Sequence, residues 1–303
     1  MLTPTEKACL EAFRQGADSA TAGRPENADD WIGFGLRLLL DAGLKVRASR
    51  TRLDEGDFEL KSDGSPITRL EEEIERLLGE RLAAFDPAAT MVGEETGGTL
   101  PESGFAVAID PIDGTWAFLN GTETYATTLG FFHDHEPFLG MVSNPATGEI
   151  GYATSEGTPR LLQLSLFGEA DAACALPRPR PEPMPLLVNV HPSRHGSPLI
   201  TALHEAWSRG EIHMVRSPGG SPAWALLEAA KGAFVYVNGW AKRPAEVYDL
   251  VAGVLLVRRA GGEVTDLEDR PIDMLHHHGP FVASIDAASR EKVIEIVGRV
   301  ATS

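Results

Sequence analysis

"FAVAIDPIDGTWAFLN", residues 105–120, runs from an apolar strand into two aspartates, Asp110 and Asp113, and then into a glycine, a threonine and a short helical turn. A buried strand seldom ends in two charges unless something positive meets them. Magnesium is such a partner: it takes hard oxygen ligands, keeps several waters, and uses a few carboxylates plus substrate phosphate. Two such ions about 4 Å apart need one carboxylate between them and others on either side. A turn containing Pro111 can set the carboxylates of Asp110 and Asp113, with an intervening backbone carbonyl, around that pair. Gly114 and Thr115 then open the turn "TWAFLN", whose first N–H groups lack helical partners and suit a phosphate oxygen. A metal cluster and an anion site thus fall within six residues.

Two further acidic positions stand beside apolar segments. Glu94 and Glu95 sit in "VGEETGG", after a short strand, and Asp249 opens the apolar helix "VYDLVAGVLLVRRAGG". Taken singly, each reads as an acidic loop or a helix cap. Taken with Asp110 and Asp113, they supply the oxygen donors that a magnesium cluster requires. The run His276 to His278, next to Gly279 and Pro280, reads instead as a solvated turn, because no other ligand of suitable spacing lies near it.

Outward from this centre, the pattern divides the chain. "TPTEKACLEAFRQGA" predicts a poorly constrained helical extension within residues 1–30, followed by a polar linker. Asp29 or Asp30 is placed to cap the next helix, "WIGFGLRLLLDAGLKV". Arg47 to Pro66 is too polar for a core element and predicts a mobile lid carrying Lys61 and Asp63. "EEEIERLLGERLAAF" predicts an amphipathic helix with Thr68 as its cap. From Thr90, "TMVG", "FAVAI", "YATTLGFF", "PFLGMVS" and "GEIGYAT" predict a mostly antiparallel sheet. The proline-rich "LPRPRPEPMP" predicts a semi-rigid link, and strands and helices alternate after it. The layout is an α+β or layered α/β arrangement with closely packed halves, residues 31–175 carrying the metal and phosphate motifs and 186–303 completing the site.

Bulk properties narrow the partners. With 303 residues, 43% apolar and 23% charged, the chain can bury a sizeable core. A net charge of −17 argues against a nucleic acid polymer and requires a local reversal of sign at any anion site. No apolar run approaches the roughly 20 residues of a membrane helix. Cys9 and Cys174 are too few for a disulfide framework, and the opening residues lack a basic region followed by an apolar core, so a cytoplasmic location is expected.

"DPIDGT" followed by an aromatic, "GEE" upstream, "KSDGSPIT" before that, and "YDLVAG" with "RRAGG" downstream resemble the inositol monophosphatase family, and in the family order. The resemblance runs from about Trp31 to the C-terminus. It implies a layered αβαβα sandwich of the sugar-phosphatase type, an α+β fold. It also implies a magnesium-dependent, lithium-sensitive phosphoric monoester hydrolase that uses two or three Mg2+ ions and forms a homodimer. By position, Glu94, Asp110 and the Ile112 carbonyl would hold the first ion, and Asp110, Asp113 and Asp249 the second. Gly114 and Thr115 would bind phosphate through their N–H groups. The Thr115 hydroxyl, Glu94 and Glu71 would orient a water for in-line attack. "GGSPAW" matches a family Gly-Ser turn, which makes Gly220 and Ser221 substrate contacts.

The chain departs from the family pattern at several positions. Glu71 stands where the family has aspartate, so it reads either as a catalytic acid or as an N-terminal helix acid. Tyr248 replaces the tryptophan that usually precedes the metal-binding aspartate, a packing change. Trp116 follows Thr115 as a shape or lid residue, or as a core residue. Where family members carry acids that touch sugar hydroxyls, "NGWAKRP" supplies Asn238, Lys242 and Arg243. Lys242 is thus either solvated or a receptor for a second anionic group. The expected substrate is a small phosphate monoester, inositol monophosphate-like or a related sugar or nucleotide phosphate. The alternatives are a 3′(2′),5′-bisphosphate nucleotide, fructose-1,6-bisphosphate or histidinol phosphate, or a non-catalytic metal- and phosphate-binding regulatory homologue.

Overall fold

A computed structural model describes residues 1–16, 27–50, 58–61, 66–165, 171–179, 185–191, 197–239 and 246–301. Thr3 starts the first helix, α1 (Pro4–Arg14), through a reciprocal cap: its hydroxyl accepts the Glu6 amide, and the Glu6 carboxylate accepts the Thr3 amide. This segment is not the poorly constrained extension that its sequence predicts. Glu6 is fully buried and receives two bonds from the Arg160 guanidinium, at 2.6 and 2.7 Å, and one from the Tyr152 hydroxyl at 2.7 Å. Cys9 and Leu10 join the core behind it. The next helix, α2 (Ala28–Ser49), is capped by Asn27, whose side chain accepts the Asp30 amide at 3.1 Å; Asp29 and Asp30 occupy its first turn and are not the cap.

The expected lid is divided. Its first residues belong to the end of α2, and β1 (Phe58–Leu60) and β2 (Pro66–Thr68) pair as a short antiparallel ribbon. Asp63 lies outside the described residues. Thr68 caps α3 (Arg69–Phe85) as expected. Then β3 (Thr90–Gly93) runs parallel to β4 (Phe105–Asp113), and α4 (Thr115–Leu119) turns the chain. Antiparallel pairing continues through β5 (Ala126–His133), β6 (Glu136–Asn144), β7 (Glu149–Thr154), β8 (Arg160–Gln163) and β9 (Ala172–Ala175), giving a seven-stranded sheet in chain order.

The central residues of the proline-rich link, 180–184, lie outside the described set. Beyond it come β10 (Leu187–His191), α5 (Ser197–Ser208), β11 (Met214–Arg216), α6 (Pro222–Ala230), β12 (Val235–Asn238), α7 (Val247–Arg259), β13 (Glu263–Thr265), β14 (Phe281–Ser284) and α8 (Ala287–Ala301). The second sheet is ordered β11-β10-β12-β14-β13, with β10 parallel to both of its neighbours.

Side-chain alternation builds the layers. On β4, Val107 and Ile109 face Leu36, Leu39, Ile74 and Leu78 of α2 and α3, while Ala106 and Ala108 face Val251 of α7. The sheet comes so near α7 that a β-carbon on Gly140 would lie 2.7 Å from the Ala252 Cα. Helices α6 and α7 are apolar on every side because sheets cover them on both. On the far face of the second sheet, Val188, Val190, Val235 and Val237 pack against Leu203 of α5 and Val293 and Ile296 of α8. The result is helix, sheet, helix, sheet, helix: the expected α+β sandwich of five layers.

Candidate active site

The turn after β4 is made by a bulge. Asp110 pairs with Thr128 and Asp113 with Ala126, so three steps on β4 oppose two on β5. The Asp110 side chain accepts the Ile112 amide at 2.9 Å, and the Thr127 hydroxyl donates to the Pro111 carbonyl at 2.8 Å. Both aspartates are buried. From the second half of the chain, α6 meets Asp113 end-on: the Ser221 hydroxyl and, at 2.8 Å, the Ala223 amide donate to one Asp113 oxygen. Asp249 lies in the first turn of α7, where it accepts the Glu246 amide at 3.1 Å, and the Thr128 hydroxyl fixes that turn by donating to the Tyr248 carbonyl. Carboxylate oxygens of Asp110, Asp113 and Asp249 lie within 4.8 Å of one another.

Such a group repels itself. Burial holds the Asp110 carboxyl well above the usual carboxylate range, and the charges of Glu94, Asp113, Asp249 and Glu71 push it further. Asp113 is pushed up to about 7 by burial and by Glu94, against the hydrogen bonds from Ser221 and Ala223. A cation would relieve this repulsion. The donor set is all oxygen, as a hard divalent ion requires, and these residues therefore fit a magnesium site. Glu94 follows β3 and pairs with Lys61 at 2.9 Å, while Glu95 meets the same ammonium at 2.7 Å. Burial works against the charge on Lys61, but bonds to Glu95 and Glu94 prevail and lift its pKa to about 12.

Glu71 is the N-terminal helix acid of α3, and it also reaches Thr115. One carboxylate oxygen caps α3 by accepting the Thr68 amide, and the other accepts the Thr115 hydroxyl at 2.8 Å. Burial lifts its pKa to about 8 despite those bonds. Thr115 also lies 3.2 Å from the Ile112 carbonyl. The first α4 amides to find helical partners are those of Ala117 and Phe118, on the Gly114 carbonyl; the N–H groups before them precede the first helical acceptor.

Two glycines let the halves meet. Gly114 has φ +90°, and a β-carbon there would fall 2.7 Å from the Ser221 nitrogen. Gly220, also at φ +90°, would place one 1.9 Å from the Thr124 carbonyl, to which Ser221 donates its amide. Gly220 is thus beside the Gly114 turn. The Ser221 side chain is buried behind the carboxylates, so the structure makes it a support of Asp113. Lys242 and Arg243 lie outside the described residues. Trp116 is 51% exposed, which removes the core reading.

Tyr236 on β12 escaped the sequence reading. It is buried, its hydroxyl has no hydrogen-bond partner among the described residues, and burial together with Asp113 and Asp249 raises its pKa. Nothing in the linear pattern of "FVYVN" marks it, since a strand tyrosine ordinarily belongs to the core.

The model of a family described as the inositol monophosphatase family matches residues 28–301. A histidinol-phosphatase of Mycobacterium tuberculosis is 28% identical, covering 76% of this chain and 87% of its own. An inositol-1-monophosphatase of Rhizobium meliloti is 29% identical, covering 77% and 85%. Among solved structures, a Thermotoga maritima IMPase superposes with a TM-score of 0.71 at 24% identity, over 90% of this chain and 98% of that one, which shows the same fold. Helix α1 precedes the matched region.

Proposed function

The chain belongs to the inositol monophosphatase family and is a phosphoric monoester hydrolase, and we propose that it acts on a small phosphate monoester with magnesium at the Asp110, Asp113 and Asp249 cluster. The observation that carries this is the convergence of three carboxylates within 4.8 Å, beside the Gly114–Thr115 turn. Glu94, Asp110 and the Ile112 carbonyl would hold one ion, and Asp110, Asp113 and Asp249 another. When bound, magnesium supplies Lewis acidity to the phosphoryl oxygens and makes water a better nucleophile near neutral pH.

The protein's own groups do the rest. Amides at the start of α4 receive a phosphate oxygen. Thr115 donates its hydroxyl proton to Glu71, so its oxygen is free to accept a hydrogen from the attacking water. Glu71, in its ionised form, is the acceptor at the end of that relay. Lys61 balances the charge of Glu94 and Glu95 at the edge of the cluster. Because Asp249 and the Ser221 support come from residues 186–303 and the rest from 31–175, the two halves form one catalytic unit.

Phosphate release from a panel of sugar, nucleotide and amino-alcohol phosphates, with and without magnesium, tests the reading. Asp110→Asn is expected to lower turnover at least a hundredfold while the far-ultraviolet circular dichroism stays that of the wild type. Wild-type turnover in that variant would remove Asp110 from the site. Family membership also supports lithium inhibition, a homodimer and a cytoplasmic location, testable by lithium titration, light scattering and fractionation. No helix among the described residues is long and apolar enough to cross a membrane.

A further inference from the structure

Helix α3 carries two buried acids one turn apart, Glu71 and Glu75, and therefore on one face. Glu71 reaches the Thr115 hydroxyl. Glu75 reaches the loop after β3 instead. One of its carboxylate oxygens accepts the Glu95 amide at 2.8 Å, and the other accepts the Thr96 amide at 2.9 Å. These two amides are its hydrogen-bond partners among the described residues. The loop that supplies them is closed on itself, because Gly93 and Gly97 each donate an amide to the other's carbonyl at 3.0 Å. The Glu94 amide donates to the Ile109 carbonyl at 3.2 Å, next to Asp110. Both peptide units that flank the Glu94 Cα are thus tied, one to β4 and the other to α3. Gly93 makes room for the second tie. It lies on β3 outside the left-handed region, so its backbone admits a side chain. A β-carbon there would nevertheless fall 2.3 Å from a Glu75 oxygen and 2.6 Å from the Thr96 hydroxyl.

We propose that Glu75 is a positioning residue of the first metal site: it fills the hollow of the Gly93–Gly97 loop and so sets how Glu94 presents its carboxylate to an ion shared with Asp110. This rests on the magnesium reading of Glu94. A carboxylate suits the task because it only accepts, and it offers one oxygen to each of two successive amides. A glutamine of the same size would turn an NH2 donor toward one of them. Groups that orient a metal ligand from behind typically contribute about 10–100-fold to metal affinity or activity. A plug that served stability alone would leave the magnesium affinity of the folded protein where it is.

Calorimetric magnesium titration of the full chain tests this in wild type, Glu75→Gln, Glu75→Ala, Gly93→Ala and the Glu75→Ala, Gly93→Ala pair. The magnesium dependence of phosphate release is measured alongside, on the ester that the wild type hydrolyses fastest. Glu75→Gln and Gly93→Ala are each expected to bind magnesium about 10–100-fold more weakly. The magnesium needed for half-maximal turnover is expected to rise by the same factor, with a much smaller fall in kcat at saturating magnesium. Adding Gly93→Ala to Glu75→Ala is expected to weaken binding no further, because the carboxylate that the β-carbon displaces is gone and the exposed Thr96 can turn its hydroxyl away. Equal affinity in wild type and Glu75→Gln overturns the proposal, as does a Gly93→Ala loss that adds in full to that of Glu75→Ala. Should Glu75→Gln fail to fold, Gly93→Ala, which keeps the carboxylate and disturbs only its seat, carries the same comparison. A wild type that binds magnesium but releases no phosphate removes the phosphatase reading and leaves the calorimetric comparison standing. One that binds no magnesium removes the metal site, and this role of Glu75 with it.

Discussion

Ser221 shows how one hydroxyl can hold a carboxylate and a helix end together. It accepts the Trp224 amide as the cap of α6 and donates to the buried oxygen of Asp113. Ser221→Ala removes both. A lost cap costs about 1 kcal/mol, and a buried carboxylate short of one donor costs about 1–3 kcal/mol. Thermal unfolding without metal is expected to show a net destabilisation of about 2 kcal/mol, and magnesium titration a weaker affinity. An unchanged melting temperature together with unchanged affinity would mean that the hydroxyl supports nothing. Asp110 and Asp113 were legible in the sequence because they stand in one hexapeptide with Gly114 and Thr115. The Ser221–Asp113 contact joins residues 108 positions apart, and the serine read just as well as a substrate contact.

Elements were legible where periodicity was strong and hidden where long-range partners decide. Alternation placed β3 to β7, and helical spacing placed α3, α6 and α7. The short strands β8 and β9, at one end of the first sheet, carry too few residues for the pattern to show, and β14 and α8 passed without a reading. Helix α1 was read as loosely held because its anchor, Glu6, finds Arg160 and Tyr152 about 150 residues away. Burial alone would raise the Glu6 carboxyl, but the bonds from Arg160, Tyr152 and the Thr3 amide hold it below its ordinary value. A depressed folded-state pKa gives stability that is present above the unfolded value and is lost as pH falls through the folded one. Glu6→Gln is therefore expected to cost about 2 kcal/mol near neutral pH. The gap from wild type should close as the solution is acidified below about pH 4.5. Amide exchange over residues 3–16 would follow the undocking of α1, and a gap that stayed constant to pH 3 would show that the carboxylate charge does not hold this helix.

Across the whole molecule, the five-layer order followed from the family resemblance and not from composition, which admits many α+β arrangements. What the layers achieve is to bring Asp249, from the helices between the sheets, against the bulge at the end of β4. The cluster is thereby a source of strain until a cation arrives. Asp110 and Asp113 have folded-state values raised by burial and by their neighbours. For such acids the destabilisation is absent below the unfolded value and grows as pH rises toward the folded one, reached for Asp113 at about 7. His191, which burial holds neutral with a pKa lowered to about 4, acts in the opposite sense below its ordinary value. A variant comparison separates the two. In chelator, Asp110→Asn is expected to be more stable than wild type, by a margin that widens as pH rises from 5 to 8, because it deletes the most strongly repelled charge. Magnesium is expected to reverse the ranking: at a hundredfold excess over its dissociation constant, one bound ion adds about 2.7 kcal/mol to the wild type, while the variant gains far less. Thermal unfolding at several pH values, with chelator and with magnesium, measures both arms. If Asp110→Asn were less stable than wild type in chelator at pH 8, the carboxylates would not be in conflict, and their convergence would be a hydrogen-bonded feature of the fold instead of a place kept for a metal.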